Sequence, residues 1–466
     1  MDRNVPHSNG SAIPWNQGRY DFRAGGAPPC SIAFVATCPP RQCGIATFTS
    51  DLARSIEAVD VAATVSWAAI DQPWAAHEYG PGVRWRIEQG RPASYRAVAE
   101  QLNASDVDVV AIEHEFGLYG AWNDGFVDHL EPFFDALRKP VATTLHTVLP
   151  EPHSSHRTAL QRIGSRSAAV VVMTETARRL LVHEYGFREQ RVHVIPHGVP
   201  PMPPTDCDRA KDQLGLNGRS VIATFGLVDP RKGLEYAIRA MQEVVARHPE
   251  ALYLILGRTH PELVRAVGEG YRDKLLGLVD SLRLSEHVQF IDRYLTQGDI
   301  VDYLRATDVY VTPYLDPNQI TSGTLAYALG AGRAIVSTPY LHAAEVLAEG
   351  RGILVDFRSE QALADGVNRV LGEPGLRREL ERNAYDYGRH TAWPIVARRT
   401  LNLYRVVANR GSVALDGTRA QHPVTGQQWR QPRSKHEANG GPTPVGVAAT
   451  EGPRPLARDA RLESPR

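Results

Sequence analysis

Short apolar runs rich in β-branched residues alternate with amphipathic helical patterns in two successive series along the chain. The first series has its apolar runs at 31–37, 61–70, 107–113, 141–145, 168–173 and 192–195. The second series has them at 221–225, 252–256, 288–291, 309–312, 334–337 and 353–355. Such alternation is typical of parallel sheets covered by helices on both faces. The chain is therefore predicted to be an α/β protein of two doubly wound, Rossmann-like domains, whose ligands bind beyond the carboxyl ends of the strands.

A proline-rich segment separates the two series. Residues 199–208 contain four prolines, which favour a stiff, extended linker. Apolar residues recur at helical spacing over 393–407, after the second series. Both chain ends are rich in Gly, Pro, Arg and Gln and offer too little apolar surface to fold. The predicted order is a disordered tail at 1–29, a first domain at 30–198, a linker at 199–208, a second domain at 209–392, a helix at 393–408 and a disordered tail at 411–466.

Charge and hydropathy exclude several classes of protein. With 52 Lys and Arg against 52 Asp and Glu, the formal net charge is zero. General nucleic-acid binding needs a basic surface, so no nucleic-acid partner is predicted. No apolar run approaches the length of a transmembrane helix, and no integral membrane association is predicted. The first 29 residues lack the apolar stretch of a signal peptide, which predicts a cytoplasmic protein.

The four cysteines are interpreted as reduced thiols. Cys38 and Cys43 lie close together in the sequence, as two zinc ligands often do. No second Cys or His pair at matching spacing completes a tetrahedral site. No metal site is therefore predicted.

Three strand-end loops of the first series carry candidate binding residues. The loop at 39–45 contains Gly44 before a helix, where backbone could approach an anionic ligand, although an ordinary tight turn has the same pattern. At 113–120, Glu113, His114 and Glu115 precede an aromatic loop that suits a sugar; the alternative is a polar strand end with Phe116 and Tyr119 packed inward. His146 ends a strand and either faces a cleft or serves as a structural hydrogen-bonding group.

Two loops of the second series have the features of anion-binding sites. Arg231 and Lys232 follow a strand and precede a helix, where helix N–H groups and fixed positive charge would both face a phosphate; a solvated basic pair is the alternative. The loop at 313–324 leads into a helix and contains Asn318, Thr321, Ser322, Gly323 and Thr324. The hydroxyl and N–H groups of 321–324 either bind an anion or only cap the helix. Two anion sites in one domain would suit a diphosphate.

These residues resemble those of the family 4 retaining glycosyltransferases, which share the two-domain GT-B fold. The similarity covers about residues 31–408 and is specific for the fold and family rather than for the sugar. In the second domain it rests on 231–233, 252–257, 306–313, 325–336 and 345–355, and in the first domain on the Gly44 loop, His146 and 194–198.

The resemblance implies roles for several residues. Lys232 would contact the donor diphosphate, Gly44 would lie against the donor, and His146 would sit near the reacting sugar. The helix at 393–408 would return to the first domain and complete it. Members of this fold usually need no metal, so neither a metal nor another cofactor is expected. The partners would be a nucleotide-diphospho-sugar donor and a carbohydrate or other hydroxyl acceptor.

The sequence departs from the family pattern at two places. The family commonly has Glu-x7-Glu around the last anion site, and the matching positions are assigned to Asn318 and Ala326. An arginine often found five residues before the lysine is replaced by Leu227. Asn318 retains the capacity to hydrogen-bond a sugar hydroxyl, whereas Ala326 offers no carboxylate. Arg231 or Arg258 could compensate for the missing arginine.

The resemblance therefore implies a retaining transferase of a mannosyl or glucosyl unit, with GDP-mannose and UDP-glucose as the first donors to test. His146 and Lys232 are the predicted catalytic residues. The predicted substrate-binding residues are Gly44, His114, Glu115, Arg231, Asn318, Thr321, Ser322, Gly323 and Thr324. The missing glutamates leave open a non-catalytic protein that binds nucleotide sugars or carbohydrates. A phosphorylase of similar architecture would need a pyridoxal-binding lysine, and no lysine has a suitable sequence context.

Overall fold

The computed structural model describes residues 28–72, 77–122, 126–204 and 206–414. All of them belong to one compact unit, Met1–Gly417. The tails predicted at 1–29 and 411–466 lie outside the described residues, apart from 28–29 and 411–414.

The first half of the described chain forms a seven-stranded parallel sheet. The strands of this half are β1 Cys30–Ala36, β2 Ala63–Asp71, β3 Val83–Glu88, β4 Val109–His114, β5 Gly120–Trp122, β6 Phe126–Asp128, β7 Val141–Leu145, β8 Ala169–Val172 and β9 Val192–Val194. Its helices are α1 Gly44–Val59, α2 Pro92–Asn103, α3 Leu130–Ala136, α4 Ser154–Arg166 and α5 Glu175–His183. The sheet order is β3-β2-β1-β4-β7-β8-β9, while β5 and β6 form a separate antiparallel pair.

The six strands predicted for this half all lie in the seven-stranded sheet and are confirmed, whereas one strand of that sheet and the short pair β5 and β6 were missed. Strand β1 is a nearly continuous apolar run and is almost wholly buried, as expected for a parallel strand covered on both faces. The missed strand, β3, pairs only with β2 at the edge of the sheet. Its buried and exposed residues alternate, so it lacks the continuous apolar run by which the other strands were recognised.

The second half forms a six-stranded parallel sheet, and all six predicted strands are confirmed. The strands are β10 Ser220–Phe225, β11 Ala251–Leu256, β12 Val288–Ile291, β13 Val309–Thr312, β14 Ala334–Ser337 and β15 Ile353–Leu354. The helices are α6 Cys207–Leu214, α7 Leu234–Arg247, α8 Pro261–Val267, α9 Gly270–Ser281, α10 Gln297–Arg305, α11 Gly323–Gly330, α12 Leu341–Val346, α13 Glu360–Gly372 and α14 Pro374–Gly388. The sheet order is β12-β11-β10-β13-β14-β15. The two sheets confirm the predicted α/β fold.

A long helix, α15 Trp393–Ala414, follows the second half and packs back against the first. Its apolar side chains share a buried cluster with residues of β1 and α1. At its start, the N–H of Trp393 donates to the carbonyl of Val199 at 2.8 Å. The indole ring lies so close to Gly198 that a Cβ there would come within about 2.1 Å of it. The helical pattern predicted from 393 is confirmed, but the helix continues to Ala414, into the segment predicted as a tail.

The proline-rich segment is shorter than its predicted span. Helix α6 begins at Cys207, and the Asp206 carboxylate caps it by accepting the N–H of Asp208. The last two residues of the predicted linker at 199–208 are therefore helical. The domain boundaries drawn from the sequence stay a prediction.

Candidate active site

A cavity of about 650 Å³ lies between the two halves, at the carboxyl ends of both sets of strands. The loops after β1, β4 and β7 line it on one side, and the loops after β10, β11, β12 and β13 line it on the other. Its volume is in the range of small-molecule sites, and its position is the one expected for ligands of open α/β sheets. Nine of the predicted site residues border this cleft: Gly44, Glu115, His146, Arg231, Lys232, Asn318, Thr321, Gly323 and Thr324.

Gly44 begins helix α1 at the edge of the cleft. The preceding Cys43 caps the helix, since its Sγ accepts the N–H of Ala46 at 3.4 Å. A Cβ added to Gly44 would meet no protein atom within 4 Å. Packing within the protein therefore gives no reason for a glycine here, whereas the close approach of a ligand would.

His146 follows directly after β7 and is held from behind by a buried carboxylate. Its Nε2 lies 2.8 Å from Oε2 of Glu113, and the other oxygen of that carboxylate accepts the Thr144 hydroxyl at 3.2 Å. Phe48 of α1 packs edge-on against the imidazole with the ring centres 4.9 Å apart. Burial raises the pKa of Glu113 above its ordinary value, and the hydrogen bond from His146 opposes that rise. His146 itself is mostly buried but borders the cleft.

His114 does not reach the cleft, so its prediction as a substrate-binding residue is wrong. The side chain is completely buried and its ring is stacked on Tyr119, with the ring centres 5.5 Å apart. Burial lowers the pKa of His114 to about 3, which keeps the imidazole neutral at pH 7. The error has a simple cause, because successive side chains of a strand point to opposite faces and only some of them can face one ligand.

The aromatic loop after β4 does not present a stacking face to a sugar. Phe116 and Tyr119 are buried, and the Tyr119 hydroxyl donates to the carbonyl of Val35 at 2.6 Å. Of the polar residues at this strand end, Glu115 is the one that borders the cleft. Its carboxylate accepts the N–H of Phe116 at 2.9 Å and the Thr147 hydroxyl at 2.7 Å. The inward-packed alternative is therefore correct for the aromatic residues, and Glu115 remains a candidate.

On the opposite wall, Lys232 is held by a buried phenol. Its Nζ donates to the Tyr314 hydroxyl at 2.9 Å, and that hydroxyl lies 2.7 Å from Oγ1 of Thr324. Burial would raise the pKa of Tyr314, but the Lys232 ammonium and the hydrogen bonds to the phenol outweigh it and lower that pKa. Lys232 and the first turn of α11 are thereby joined through one side chain, although they come from different loops.

Arg231 borders the cleft but its charge is already paired. Its Nε and Nη2 donate to the two carboxylate oxygens of Asp229, each at 2.9 Å, and the side chain is largely exposed. The 3₁₀ turn Pro230–Lys232 places Arg231 beside Lys232. The Asp229 carboxylate therefore neutralises the charge of Arg231, the second of the two cations predicted to face a phosphate at this loop. Arg258, the other arginine considered as a replacement for the missing one, also borders the cleft.

The N-terminus of α11 faces the cleft through Gly323 and Thr324 but not through Ser322. The Ser322 side chain is buried and accepts the N–H of Leu325 at 3.3 Å, while its own N–H donates to Nδ1 of His342 at 2.8 Å. Ser322 is thus the helix cap, and its prediction as a substrate-binding residue is wrong. The hydroxyl is used within the protein because an N-cap satisfies the free N–H groups of the first turn.

The family's two glutamate positions were assigned from the sequence to Asn318 and Ala326. The pair that faces the cleft at this spacing lies one residue further along the chain. Ala326 is packed in the core of the second half, whereas the next residue, Tyr327, borders the cleft. Gln319, eight positions before Tyr327, borders it as well, beside Asn318. One residue is about 100° of helix rotation, which is enough to move a side chain from core to cleft. The spacing of the family's glutamates is therefore met at the cleft by Gln319 and Tyr327.

Sequence reasoning missed His197, which lies in the loop after β9 and borders the cleft. Its Nδ1 lies 2.8 Å from the carbonyl of Gly198, and its Nε2 would be about 2.8 Å from a Cβ on Gly323. Burial lowers the pKa of His197 to about 4, so the ring is neutral at pH 7. The position of His197 at a strand end, like that of His146, was the signal that could have found it.

Sequence reasoning also missed Asp51, a carboxylate of α1 that reaches across to the second half. Its carboxylate accepts hydrogen bonds from Nε2 of Gln297 at 2.9 Å and from the Tyr327 hydroxyl at 3.5 Å, and it forms an ion pair with Arg54. Burial raises the pKa of Asp51, and the interaction with Arg54 and the hydrogen bonds oppose this rise. A single aspartate within an amphipathic helix gives no signal in the sequence, because its partners lie far along the chain.

Neither a metal-binding cluster nor a membrane-spanning helix occurs in the described part of the chain. Among these residues, no cluster of three or more His, Cys, Asp or Glu side chains is placed to bind a metal ion. None of the helices described combines the length and the hydropathy of a membrane span.

Two family models match the chain in succession. The model described as Glycosyltransferase Family 4 matches residues 43–202, and the one described as Glycosyl transferases group 1 matches residues 206–387. The first match covers most of the first half and the second covers most of the second half. Each of the two walls of the cleft therefore lies within a matched region.

Similar proteins share the architecture at low sequence identity. The D-inositol 3-phosphate glycosyltransferase of Rhodococcus jostii (strain RHA1) is 26% identical over 313 residues, which are 63% of this chain and 68% of that protein. The structure of sucrose-phosphate synthase from Thermosynechococcus elongatus has a TM-score of 0.66 and 18% identity, covering 82% of this chain and 100% of that one. Anabaena HepE in complex with UDP-glucose has a TM-score of 0.58 and 16% identity, covering 83% and 99%.

Proposed function

The chain belongs to the glycosyltransferases of group 1 and family 4, with the GT-B fold, and from this premise we propose that it is a retaining hexosyltransferase. It would move a mannosyl or glucosyl unit from a nucleotide-diphospho-sugar to a hydroxyl of a carbohydrate or another acceptor. One observation supports this most directly. A lysine with the N-terminus of a helix stands on one wall of a single cleft, and an oriented histidine stands on the other.

The second-half wall is suited to a diphosphate leaving group. Negative charge develops on that group as the glycosidic bond breaks, and a fixed cation beside it stabilises the transition state more than the ground state. Lys232 supplies the cation, and Tyr314 holds its Nζ. The free N–H groups at the start of α11 add a second, uncharged anion-binding element at Gly323 and Thr324.

The first-half wall is suited to hydroxyl groups. His146 and Glu115 border the cleft there, and Gly44 leaves room for a ligand to approach the start of α1. Holding an acceptor hydroxyl against the anomeric carbon converts an encounter of two molecules into a reaction within one complex. We assign His146 and Glu115 to the sugar and the acceptor, and we assign no metal or other cofactor to the reaction.

UDP-glucose and GDP-mannose are the donors to test first. Glucose as the transferred sugar is supported by the HepE structure, which is a complex with UDP-glucose. A phosphorylated cyclitol is a reasonable first acceptor beside simple sugars, because the Rhodococcus relative is named for D-inositol 3-phosphate.

The proposal is tested by thermal shift followed by transfer. A nucleotide sugar that binds only the folded chain raises its melting temperature, so a panel of donors identifies the nucleotide and the sugar. The stabilising donor is then incubated with acceptors, with and without EDTA, and product formation is followed. We expect transfer that EDTA does not slow and, by NMR of the product, the same anomeric configuration as in the donor. Inversion of the anomeric centre would contradict retention.

A second candidate is a non-catalytic protein that binds nucleotide sugars or carbohydrates. The observation that favours it is the pair Gln319 and Tyr327, which border the cleft at the spacing where the family commonly has two glutamates. Such a protein would be stabilised by a donor but would neither transfer the sugar nor hydrolyse the donor. Single-turnover conditions, with enzyme in excess over donor, separate it from a slow enzyme.

A further inference from the structure

Glu113 is the second-to-last residue of β4 and lies entirely behind the cleft surface. It is completely buried and does not border the cavity. Its Oε2 lies 2.8 Å from Nε2 of His146, and its Oε1 accepts the Thr144 hydroxyl at 3.2 Å. Both carboxylate oxygens are therefore engaged by side chains of the neighbouring strand end. Glu113 can therefore act on a ligand in the cleft only through His146.

The chemistry of a carboxylate decides which nitrogen of His146 carries the proton. The hydrogen bonds from His146 and Thr144 favour the ionised form of Glu113 and oppose the rise in its pKa that burial causes. An ionised carboxylate is only an acceptor, so Nε2 of His146 donates to it. In a neutral imidazole the other nitrogen, Nδ1, is then an acceptor. In the described part of the chain Nδ1 of His146 has no hydrogen-bond partner. This nitrogen is not among the buried polar atoms that lack a partner, so it is accessible at the surface of the protein. Since His146 borders the cleft, Nδ1 is open to a ligand there.

We propose that Glu113 is a positioning residue that holds His146 in its Nε2–H tautomer, so that Nδ1 accepts a hydrogen bond from a sugar hydroxyl in the cleft. The identity of the ligand in this proposal rests on the proposed glycosyl transfer, whereas the tautomer of His146 does not depend on it. An acceptor nitrogen accepts hydrogen bonds from donors such as hydroxyls, and it cannot donate a hydrogen bond to a phosphate oxygen. The first-half wall would therefore select the sugar, while Lys232 on the other wall binds the diphosphate.

The orientation of the ring depends on Glu113 because few other contacts fix it. Phe48 packs edge-on against the imidazole and limits its tilt, but an aromatic edge does not distinguish one ring nitrogen from the other. His114, whose carbonyl accepts the N–H of His146 at 3.0 Å, has a neutral ring because burial lowers its pKa to about 3. Glu113 is thus the contact that sets the direction of the hydrogen bond.

The first experiment observes the tautomer and needs no turnover. The chain is labelled with ¹⁵N-histidine, and the His146 signals are assigned by their loss in His146→Asn. We expect the wild type at pH 7.5 to show a protonated Nε2 and an unprotonated Nδ1, and Glu113→Leu to lose this preference. A wild-type ring protonated on Nδ1 and bare on Nε2 would overturn the proposal, whether or not the chain transfers sugar.

The second experiment asks whether Glu113 acts on one hydroxyl. Donors lacking a single sugar hydroxyl are compared with the intact donor for the wild type, His146→Ala and Glu113→Leu. We expect Glu113→Leu to lower kcat on the intact donor by about tenfold. One deoxy donor should lack the hydroxyl that His146 binds, so that His146→Ala has almost no effect on its kcat. Glu113→Leu should then also have almost no effect on that donor, because the effects of coupled groups are not additive. An equal loss on every donor would mean that Glu113 only supports the fold.

Two variants complete the test. Glu113→Gln keeps an acceptor oxygen and should recover most of the kcat that Glu113→Leu loses. If Glu113→Leu does not fold, Glu113→Met, whose side chain has a similar length and no carboxylate, takes its place in both experiments. Thr144→Val removes the other hydrogen bond to Glu113 at similar side-chain volume. The kcat on each deoxy donor relative to the intact donor should be the same in this variant as in the wild type. If no donor is turned over, the proposed function fails while the NMR experiment still decides on the tautomer.

Discussion

The two walls of the cleft hold their candidate functional side chains in the same way but present opposite chemistry. On the first-half wall His146 is held by the buried carboxylate of Glu113, and on the second-half wall Lys232 is held by the buried phenol of Tyr314. In each pair the partner is fully buried and the functional group borders the cleft. The first wall offers an oriented imidazole, and the second offers a cation beside a helix N-terminus.

The difference indicates how one cleft can distinguish the parts of a nucleotide sugar. A diphosphate has only acceptor oxygens and a negative charge, and the second wall meets it with a cation and N–H groups. A sugar has hydroxyls that both donate and accept, and the first wall meets it with an imidazole and the carboxylate of Glu115. The donor would therefore bind in one direction, with its nucleotide toward the second half. The predictions below test this division, from the largest expected effect to the smallest.

Removing the cation of the second wall should have the largest effect. Lys232→Ala should lower kcat by about a hundredfold or more, since one preorganised electrostatic contact to the leaving group typically contributes that much. The Kd of the donor should rise less, because the N-terminus of α11 still binds the phosphates. Lys232→Arg should recover part of the rate, since a planar guanidinium does not replace a point charge. Steady-state kinetics and donor titration measure the two effects.

The matched control for Lys232 is Lys274, an exposed lysine of α9 outside the cleft. Lys274→Ala should keep the wild-type rate and donor affinity. A Lys232→Ala chain that transfers sugar as fast as wild type would remove Lys232 from the mechanism and leave the two walls chemically alike.

Removing the imidazole of the first wall should lower kcat by something on the order of thirtyfold, within the range for loss of one oriented polar contact in a site. The variant is His146→Ala, and its rate should be referred to the folded fraction measured by circular dichroism. His114→Leu is the comparison, because His114 is buried one strand position from Glu113 and does not border the cleft. It should change the melting temperature and leave activity per folded molecule intact. The reverse pattern would make His114 the functional histidine.

Loosening Lys232 without removing it should have a smaller effect. Tyr314→Phe deletes the hydroxyl that accepts from Lys232 and lies 2.7 Å from Thr324. We expect kcat to fall by roughly fivefold, and the loss to vanish in a Lys232→Ala background because the two residues act together. Tyr340→Phe is a control, since Tyr340 stacks on Tyr314 with its hydroxyl directed to Thr312 instead. An equal loss in both tyrosine variants would indicate a packing effect.

The smallest expected effect concerns Asp51, which belongs to the first half but hydrogen-bonds to the second. Burial raises its folded-state pKa above the ordinary value, so the folded chain holds this proton more tightly than the unfolded chain. The associated stability is present below the unfolded pKa of about 3.9 and is lost as the pH rises through the folded pKa. Asp51→Asn cannot ionise and should avoid this loss. Its melting temperature relative to wild type should therefore be higher at pH 7 than at pH 4, by roughly one to two degrees.

Melting curves at the two pH values, measured at constant ionic strength, check this prediction. Asn keeps a carbonyl oxygen that accepts from Gln297 and Tyr327, so the contact between the halves is largely preserved. A difference between variant and wild type that falls as the pH rises would show that the Arg54 interaction outweighs burial.

Much of the fold was accessible from the sequence because parallel strands covered on both faces are continuous apolar runs. Strands such as β1 and β11 are recognised by this feature alone. The edge strand β3 was missed because its exposed side gives an alternating pattern. Lys232 and Thr324, two candidate anion-binding residues that border the cleft, could be selected from the sequence because loops after neighbouring parallel strands meet at the same edge of a sheet.

The parts of the site that escaped prediction depend on contacts between residues far apart in the chain. Asp51 and Gln297 are 246 positions apart, and Lys232 and Tyr314 are 82 apart. His114 and Ser322 were wrongly assigned because a sequence motif does not show which side chains of a strand end or helix cap face outward. The same uncertainty placed the glutamate positions at Asn318 and Ala326, one residue from the pair that borders the cleft.

The sequence by itself determined the two α/β halves, the strand-end loops that border the cleft and the family to which the chain belongs. Local pattern suffices for these, because hydrophobic periodicity and strand-to-helix turns are properties of neighbouring residues. Only the tertiary structure decided which nitrogen of His146 faces Glu113, that Tyr314 holds Lys232, and that Asp51 joins the halves. These depend on side-chain direction and on burial, which arise when distant segments pack together and which no single segment contains.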